Sequence, residues 1–190
     1  MIEESFAVME FSGGYSYSKQ AYGEDKHNTM KSTTYSGGIA VYIWSYTGLE
    51  LNYSYTTDII SEKDRHYFGG GVYIVSVYNE INTRMYGAGV RQILAPLSSF
   101  IVPAISLGYA RQIQSGGTTY ILEDLYGNQG SLYATRPKDQ SDNCYATFAL
   151  KIRATKYFML NGSVKTVFRA FRFSEAEDYI KYEAGFSLLF

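Results

Sequence analysis

One cysteine, Cys144, and three prolines are all that these 190 residues contain of either type. A lone cysteine excludes an internal disulfide and argues against a thiolate metal cluster. Long apolar runs are missing too. A membrane-spanning helix needs roughly 18 such residues in succession, and the most apolar stretch, 100–110, is broken by Pro103, Ser106 and Gly108. Charge is scarce: 18% of residues are charged, with a net charge of −1, against about a quarter charged in ordinary soluble domains. No basic footprint and no acidic tail exist, so no nucleic-acid partner is expected. Met1-Ile2-Glu3-Glu4-Ser5 has neither the basic start nor the apolar segment of a signal peptide. Met1 is therefore expected to stand where a cleaved leader once ended.

What is abundant is aromatic. Twenty tyrosines and 11 phenylalanines accompany 18 glycines, a composition suited to half-exposed pleated strands. Polar and apolar residues alternate with period two. In Leu49-Glu50-Leu51-Asn52-Tyr53-Ser54-Tyr55-Thr56 the odd positions are apolar or aromatic and the even ones polar. Tyr182, Ala184, Phe186, Leu188 and Phe190 likewise share one face, against Glu183, Gly185 and Ser187, with Leu189 as an exception. Met9, Phe11, Tyr15 and Tyr17 oppose Glu10, Ser12 and Ser16; Tyr35, Ile39 and Val41 oppose Thr34, Ser36 and Gly38; Leu160, Val164 and Phe168 oppose Asn161, Ser163 and Lys165.

Any antiparallel sheet with one wet face alternates in this way. Two features select a membrane barrel instead. The apolar face is rich in Tyr and Phe, as interfacial girdles require, and the polar face carries both signs of charge in mid-strand. A barrel in lipid turns the apolar face outward and the charges into its lumen. The expected fold is all-β: a single domain, 1–190, forming a closed antiparallel up-and-down transmembrane β-barrel. Its eight strands are expected near 5–18, 33–46, 49–60, 81–94, 99–113, 142–154, 157–173 and 177–190. Short turns at Thr47-Gly48, 95–97 and 154–156 alternate with longer connections at 19–32, 61–80 and 114–141 and a brief one at 174–176. That alternation matches periplasmic turns and extracellular loops, with both termini in the periplasm. Residues 72–78 read as half of a hairpin projecting above the membrane, and 120–122 with 131–135 as a second projection. Pro103 conflicts with a strand bonded on both sides, and a bulge is expected there.

The terminal pattern Tyr182, Ala184, Phe186, Leu188, Phe190 resembles the C-terminal assembly signal of outer-membrane proteins, which ends in an aromatic residue preceded by apolar residues at alternate positions. Over its whole length the chain resembles the small OmpA/OmpX/OmpW-type barrels. The resemblance implies residence in the bacterial outer membrane, with lipid and lipopolysaccharide as surroundings and recognition by the barrel-assembly machinery. It also implies a monomer without cofactor, with loops free to meet an extracellular ligand.

Strand parity sends Glu10, Glu50, Arg91, Lys151, Arg153, Lys165, Arg169 and Glu183 to the lumen. Eight strands leave an interior just wide enough for side chains, so these charges are expected to form a closed network that plugs the barrel. Glu10 and Glu183 should lie on adjacent strands, with Lys165 or Arg169 reaching between them. A narrow pore for small solutes is the rival reading of the same charges. A rim enzyme acting on lipid is another: His66 lies near Asp58, Glu62 and Asp64 in sequence, which would allow acid–base chemistry. Neither His27 nor His66 opens the His-x-Ser motif of the lipid A deacylases, and solvated loop residues are the expected outcome. A lipocalin-like soluble barrel would need an apolar interior, which the alternation denies. Gly69-Gly70-Gly71 and Gly87-x-Gly89 lack the strand–helix setting of a phosphate loop and are expected to serve curvature or close packing. Trp44 is assigned to packing or a girdle, and Cys144 to the lipid face.

Overall fold

The computed structural model describes residues 8–23, 27–169 and 180–190. Its strands are β1 (Val8–Tyr22), β2 (Asn28–Tyr42), β3 (Thr47–Glu62), β4 (His66–Gly69), β5 (Val72–Ile93), β6 (Ile101–Glu123), β7 (Gln129–Arg153), β8 (Phe158–Arg169) and β9 (Lys181–Leu189). All pairings are antiparallel. The sheet runs β3-β2-β1-β9-β8-β7-β6-β5, and β3 pairs again with β5, closing a ring of eight. The short β4 pairs with β5 outside that ring. The expected strand portions at 5–7 and 170–179, and the connection at 174–176, lie outside the described residues.

Period two decides which way each side chain points. Phe11, Ile39, Leu49, Leu51, Val90, Leu107, Phe148, Leu160 and Phe186 form an exposed apolar belt around the ring. Trp44, Phe100, Tyr157 and Phe190 fringe it at the short-turn end, and Tyr15, Tyr35, Tyr53, Tyr86 and Tyr109 at the other. Several of these rings touch, Tyr15 with Tyr35 at 5.4 Å and Tyr53 with Tyr86 at 5.1 Å between centroids. Paired cross-strand aromatics stabilise a sheet and fix its register. Cys144 shares the outward face with Phe148 and Leu150.

The short turns lie at 43–46, 94–100 and 154–157. The first falls ahead of the expected Thr47-Gly48, which open β3 instead. Val8 and Phe190 sit at the same end, where Met9 and Phe190 exchange backbone hydrogen bonds at 3.0 and 2.9 Å. The long connections are largely strand. β1 runs on to Tyr22, β6 to Glu123, and β7 starts at Gln129. A ladder beyond the apolar belt keeps its backbone bonds but needs no apolar face, so these extensions carry no hydrophobic period to read. Residues 72–78 are the start of the 22-residue β5, inside a raised hairpin turned by Gly69, Gly70 and Gly71, all at positive φ. Arg65 ties this hairpin to the next through Glu123 at 3.0 Å and lies 4.4 Å over the Tyr73 ring. The β6–β7 turn is pinned by Asp124, which accepts hydrogen bonds from the Asn128 side chain and from the backbone N–H groups of Asn128 and Tyr126. These donors, the Asn128 side chain first, hold the Asp124 carboxyl below its ordinary range.

No bulge forms at Pro103, whose register with Leu150 is continuous. Within a strand the N–H and C=O of one residue point to the same neighbour. The Pro103 carbonyl accepts from Leu94 N at 2.8 Å, so its missing N–H faces the β5 side just past the end of that ladder. No bond to β7 is lost. The irregularity on β6 falls instead between Gln114 and Gly116.

Candidate functional site

The lumen is layered. At the short-turn end Ile93, Val102, Ala104, Met159 and Leu189 form a buried apolar plug with Ala40 and Tyr42, backed by Val8 and Leu97. Leu189, the residue that broke the alternation, belongs here: it points inward where the interior is apolar.

Directly on this plug lies a network of four charges. Glu10 of β1 is fully buried and Glu50 of β3 nearly so, at 0% and 3% exposure. Lys151 of β7 reaches both Glu10 oxygens at 2.6 Å. Arg91 of β5 spans the two acids, with Nη1 2.9 Å from Glu10 and Nε 2.7 Å from Glu50. Neutral donors complete the shells. Tyr42 Oη (2.7 Å) and Ser187 Oγ (2.8 Å) donate to Glu10, and Tyr145 Oη (2.7 Å) and Ser106 Oγ (2.9 Å) to Glu50. Asn161 Nδ2 donates to Ser187 Oγ at 3.1 Å, so every strand of the ring contributes a side chain. Buried carboxylates are tolerable only when opposite charges and hydrogen bonds fill their coordination this fully.

The register explains why these residues meet. One row around the barrel reads Glu10, Ala40, Glu50, Gly89, Gly108, Tyr145. Small residues between the large ones let the Tyr145 ring lie flat over two strands to reach Glu50. A Cβ at either Gly89 or Gly108 would collide with that ring or its hydroxyl. Gly108→Ala is therefore expected to lose the Tyr145–Glu50 bond and about 1.5–3 kcal/mol of stability, the usual worth of a hydrogen bond to a charge. Denaturant unfolding in lipid vesicles measures this. The added Cβ also meets the backbone carbonyl oxygen of Ala88. The same change in a Tyr145→Ala background should therefore keep that backbone part of the cost and lose the part due to the ring; an undiminished cost there would rule out the ring contribution.

Four of the eight sequence-assigned charges thus come together: Glu10, Glu50, Arg91 and Lys151. Three others stand apart. Arg153 turns to the short-turn end and donates to the carbonyls of Leu97, Thr155 and Lys156. Glu183 accepts from Ser36 Oγ at 3.0 Å on the far side of the network. Lys165 is buried with its Nζ 5.4 Å from the Tyr145 ring centroid. Arg169 pairs with Asn143 through its backbone, and its side chain lies outside the described residues. Lys165 forms no bridge between Glu10 and Glu183. Although β1 and β9 are neighbours, Glu10 faces Leu189, six positions from Glu183, or about 20 Å along a strand. Lys151 and Arg91 reach Glu10 across the lumen instead. The tyrosines and serines of the network were not assigned from sequence. Tyr42 and Tyr145 read there as two among many aromatics, and their luminal parity was the signal available.

His66 is exposed at the start of β4. Its neighbours are engaged elsewhere, Glu62 with Tyr22 and Asp64 with Asn28. The five terminal-pattern residues Tyr182, Ala184, Phe186, Leu188 and Phe190 lie on the outward face of the last strand and its end.

A closed ring of eight antiparallel strands, an apolar belt with aromatic fringes and a lumen that carries polar and charged side chains define the fold of the small outer-membrane β-barrels. Among solved structures, the chain is similar to Ail, the attachment invasion locus protein of Yersinia pestis, in complex with the heparin analogue sucrose octasulfate. Identity is 13%, coverage 97% of this chain and 99% of that one, and the TM-score 0.51. It is similar also to the N-terminal β-barrel domain of Pseudomonas aeruginosa OprF, at 15% identity, 97% coverage of both chains and a TM-score of 0.50. No family model matches the sequence, and no curated protein matches it.

Proposed function

We propose that this chain is a non-enzymatic barrel of the bacterial outer membrane that seals its own lumen and presents raised hairpins outside the cell. The observation that carries this reading is the stack of apolar plug and ion network. Glu10, Lys151, Arg91 and Glu50 balance in charge and cross the lumen between β1, β3, β5 and β7. In this reading both termini and the three short turns face the periplasm. The belt meets lipid, the loop-side tyrosines meet lipopolysaccharide, and the barrel stands as a monomer. The outward-facing terminal pattern ending at Phe190 serves the barrel-assembly machinery. Tyr67, Phe68, Leu125 and Tyr126, exposed at the hairpin tips, are the side chains offered to any external ligand.

Planar-bilayer recording of the refolded protein tests the sealed lumen. Wild-type barrel is expected to give no steady conductance. A stable ohmic pore in the wild type would overturn the proposal and favour a solute channel.

A further inference from the structure

On the loop side of the network the lumen widens into a chamber of about 270 Å³, walled in part by Ser54, Thr83, Asn143, Lys165, Lys181 and Glu183. Lys165 lines its floor and also a smaller gap of about 80 Å³ beside Glu50 and Arg91. Lys165 is 8% exposed, and among the described residues no carboxylate lies within ion-pair distance of it. Glu10 and Glu50 are already committed to Lys151 and Arg91. Lys181 stands directly opposite Lys165 in the β8–β9 register. Their nearest acid in that register, Glu183, is two residues on and accepts from Ser36. The chamber's remaining carboxylate, Asp139, sits on the exposed part of β7. On another wall Ser54 and Thr83 are 7% and 8% exposed and, among the described residues, make no side-chain hydrogen bond.

An ammonium withdrawn from water needs a counter-charge. The face of Tyr145 and the Glu183 carboxylate, which acts on Lys165 from beyond ion-pair distance and is shared with Lys181, supply only part of one. A second ammonium beside it deepens the need. The volume exceeds many times the roughly 10–15 Å³ that admits one water, and hydroxyl donors face the space. We propose that this chamber binds a small oxyanion, a free carboxylate or phosphate, between Lys165 and Lys181, with Ser54 and Thr83 donating to its other oxygens. Charge-assisted hydrogen bonds of this kind are the strong ones. The inference rests on the barrel fold but not on the sealed floor. A conducting barrel that still bound the anion would remove the sealed-lumen reading alone.

The test is calorimetric titration of the full refolded chain in detergent with inorganic phosphate, and separately with acetate, at constant ionic strength. Saturable one-to-one binding is expected for at least one of them. Lys165→Met and Lys181→Gln should each weaken it about tenfold or more, which corresponds to about 1.4 kcal/mol. Glu183→Gln should tighten it, because a competing carboxylate is removed. If Lys165→Met does not fold, the two half-buried positions, Lys181 and Glu183, carry the test by their opposite signs. Absence of saturable binding with both anions overturns the proposal, as does unchanged affinity in Lys181→Gln.

Discussion

Lys151→Ala is expected to destabilise the barrel by about 3–5 kcal/mol, the range for removing one partner from a buried ion pair. The lysine is 1% exposed and bonds both oxygens of a fully buried glutamate. Its loss leaves Glu10 with Arg91, Tyr42 and Ser187 but with no second cation, and alanine opens a void above the plug. The penalty comes mainly from the orphaned charge rather than from the worth of the bond itself. Lys151→Met combined with Glu10→Gln should therefore cost less than the sum of the single changes, with coupling of about 0.5–3 kcal/mol. Urea unfolding in lipid vesicles reads all of these. A loss below about 1 kcal/mol for Lys151→Ala would mean that water already reaches the pair and that the lumen is not closed there.

Leu51→Arg should cost about 2–4 kcal/mol if its side chain lies near the bilayer midplane. Leu51 is 64% exposed on β3, between Ile39 and Ala88 of the flanking strands. It sits in the belt, with Tyr53 toward the loop side and Leu49 toward the turns. Leu132 provides the comparison. It is 51% exposed on β7, on the raised part that pairs with Tyr120 of β6. Placed above the lipid, Leu132→Arg should shift stability by no more than about 0.5 kcal/mol, as for an ordinary surface position. The two leucines look alike in exposure and differ only in height along the barrel. Equal costs in vesicles would put the membrane in the wrong place and remove the assignment of the belt.

The alternation in 49–56 fixed which residues of β3 face out and which face in, because a pleated strand has a period of two whatever its neighbours do. The same rule placed Glu10, Glu50, Arg91 and Lys151 on the luminal side, and Leu51 and Phe186 on the other. Strand ends were less legible. The ladders of β1, β6 and β7 continue into water, where backbone bonding persists without the apolar face that makes a strand readable. Pro103 misled for a related reason: its cost depends on which neighbour its N–H would face, and composition does not show that.

The sequence by itself thus determined an antiparallel barrel with an apolar exterior and a charged interior, since both follow from local parity and strand count. Only the tertiary structure decided which luminal charges meet. Parity specifies a face but not a height, and height depends on the register of each pair around the closed ring. That register puts Glu10, Glu50, Gly89, Gly108 and Tyr145 in one row while leaving Glu183 six positions from the residue opposite Glu10. It also brings Arg91 and Lys151 across the lumen from strands far away in the chain, and leaves Lys165 opposite Lys181 with no carboxylate at ion-pair distance among the described residues.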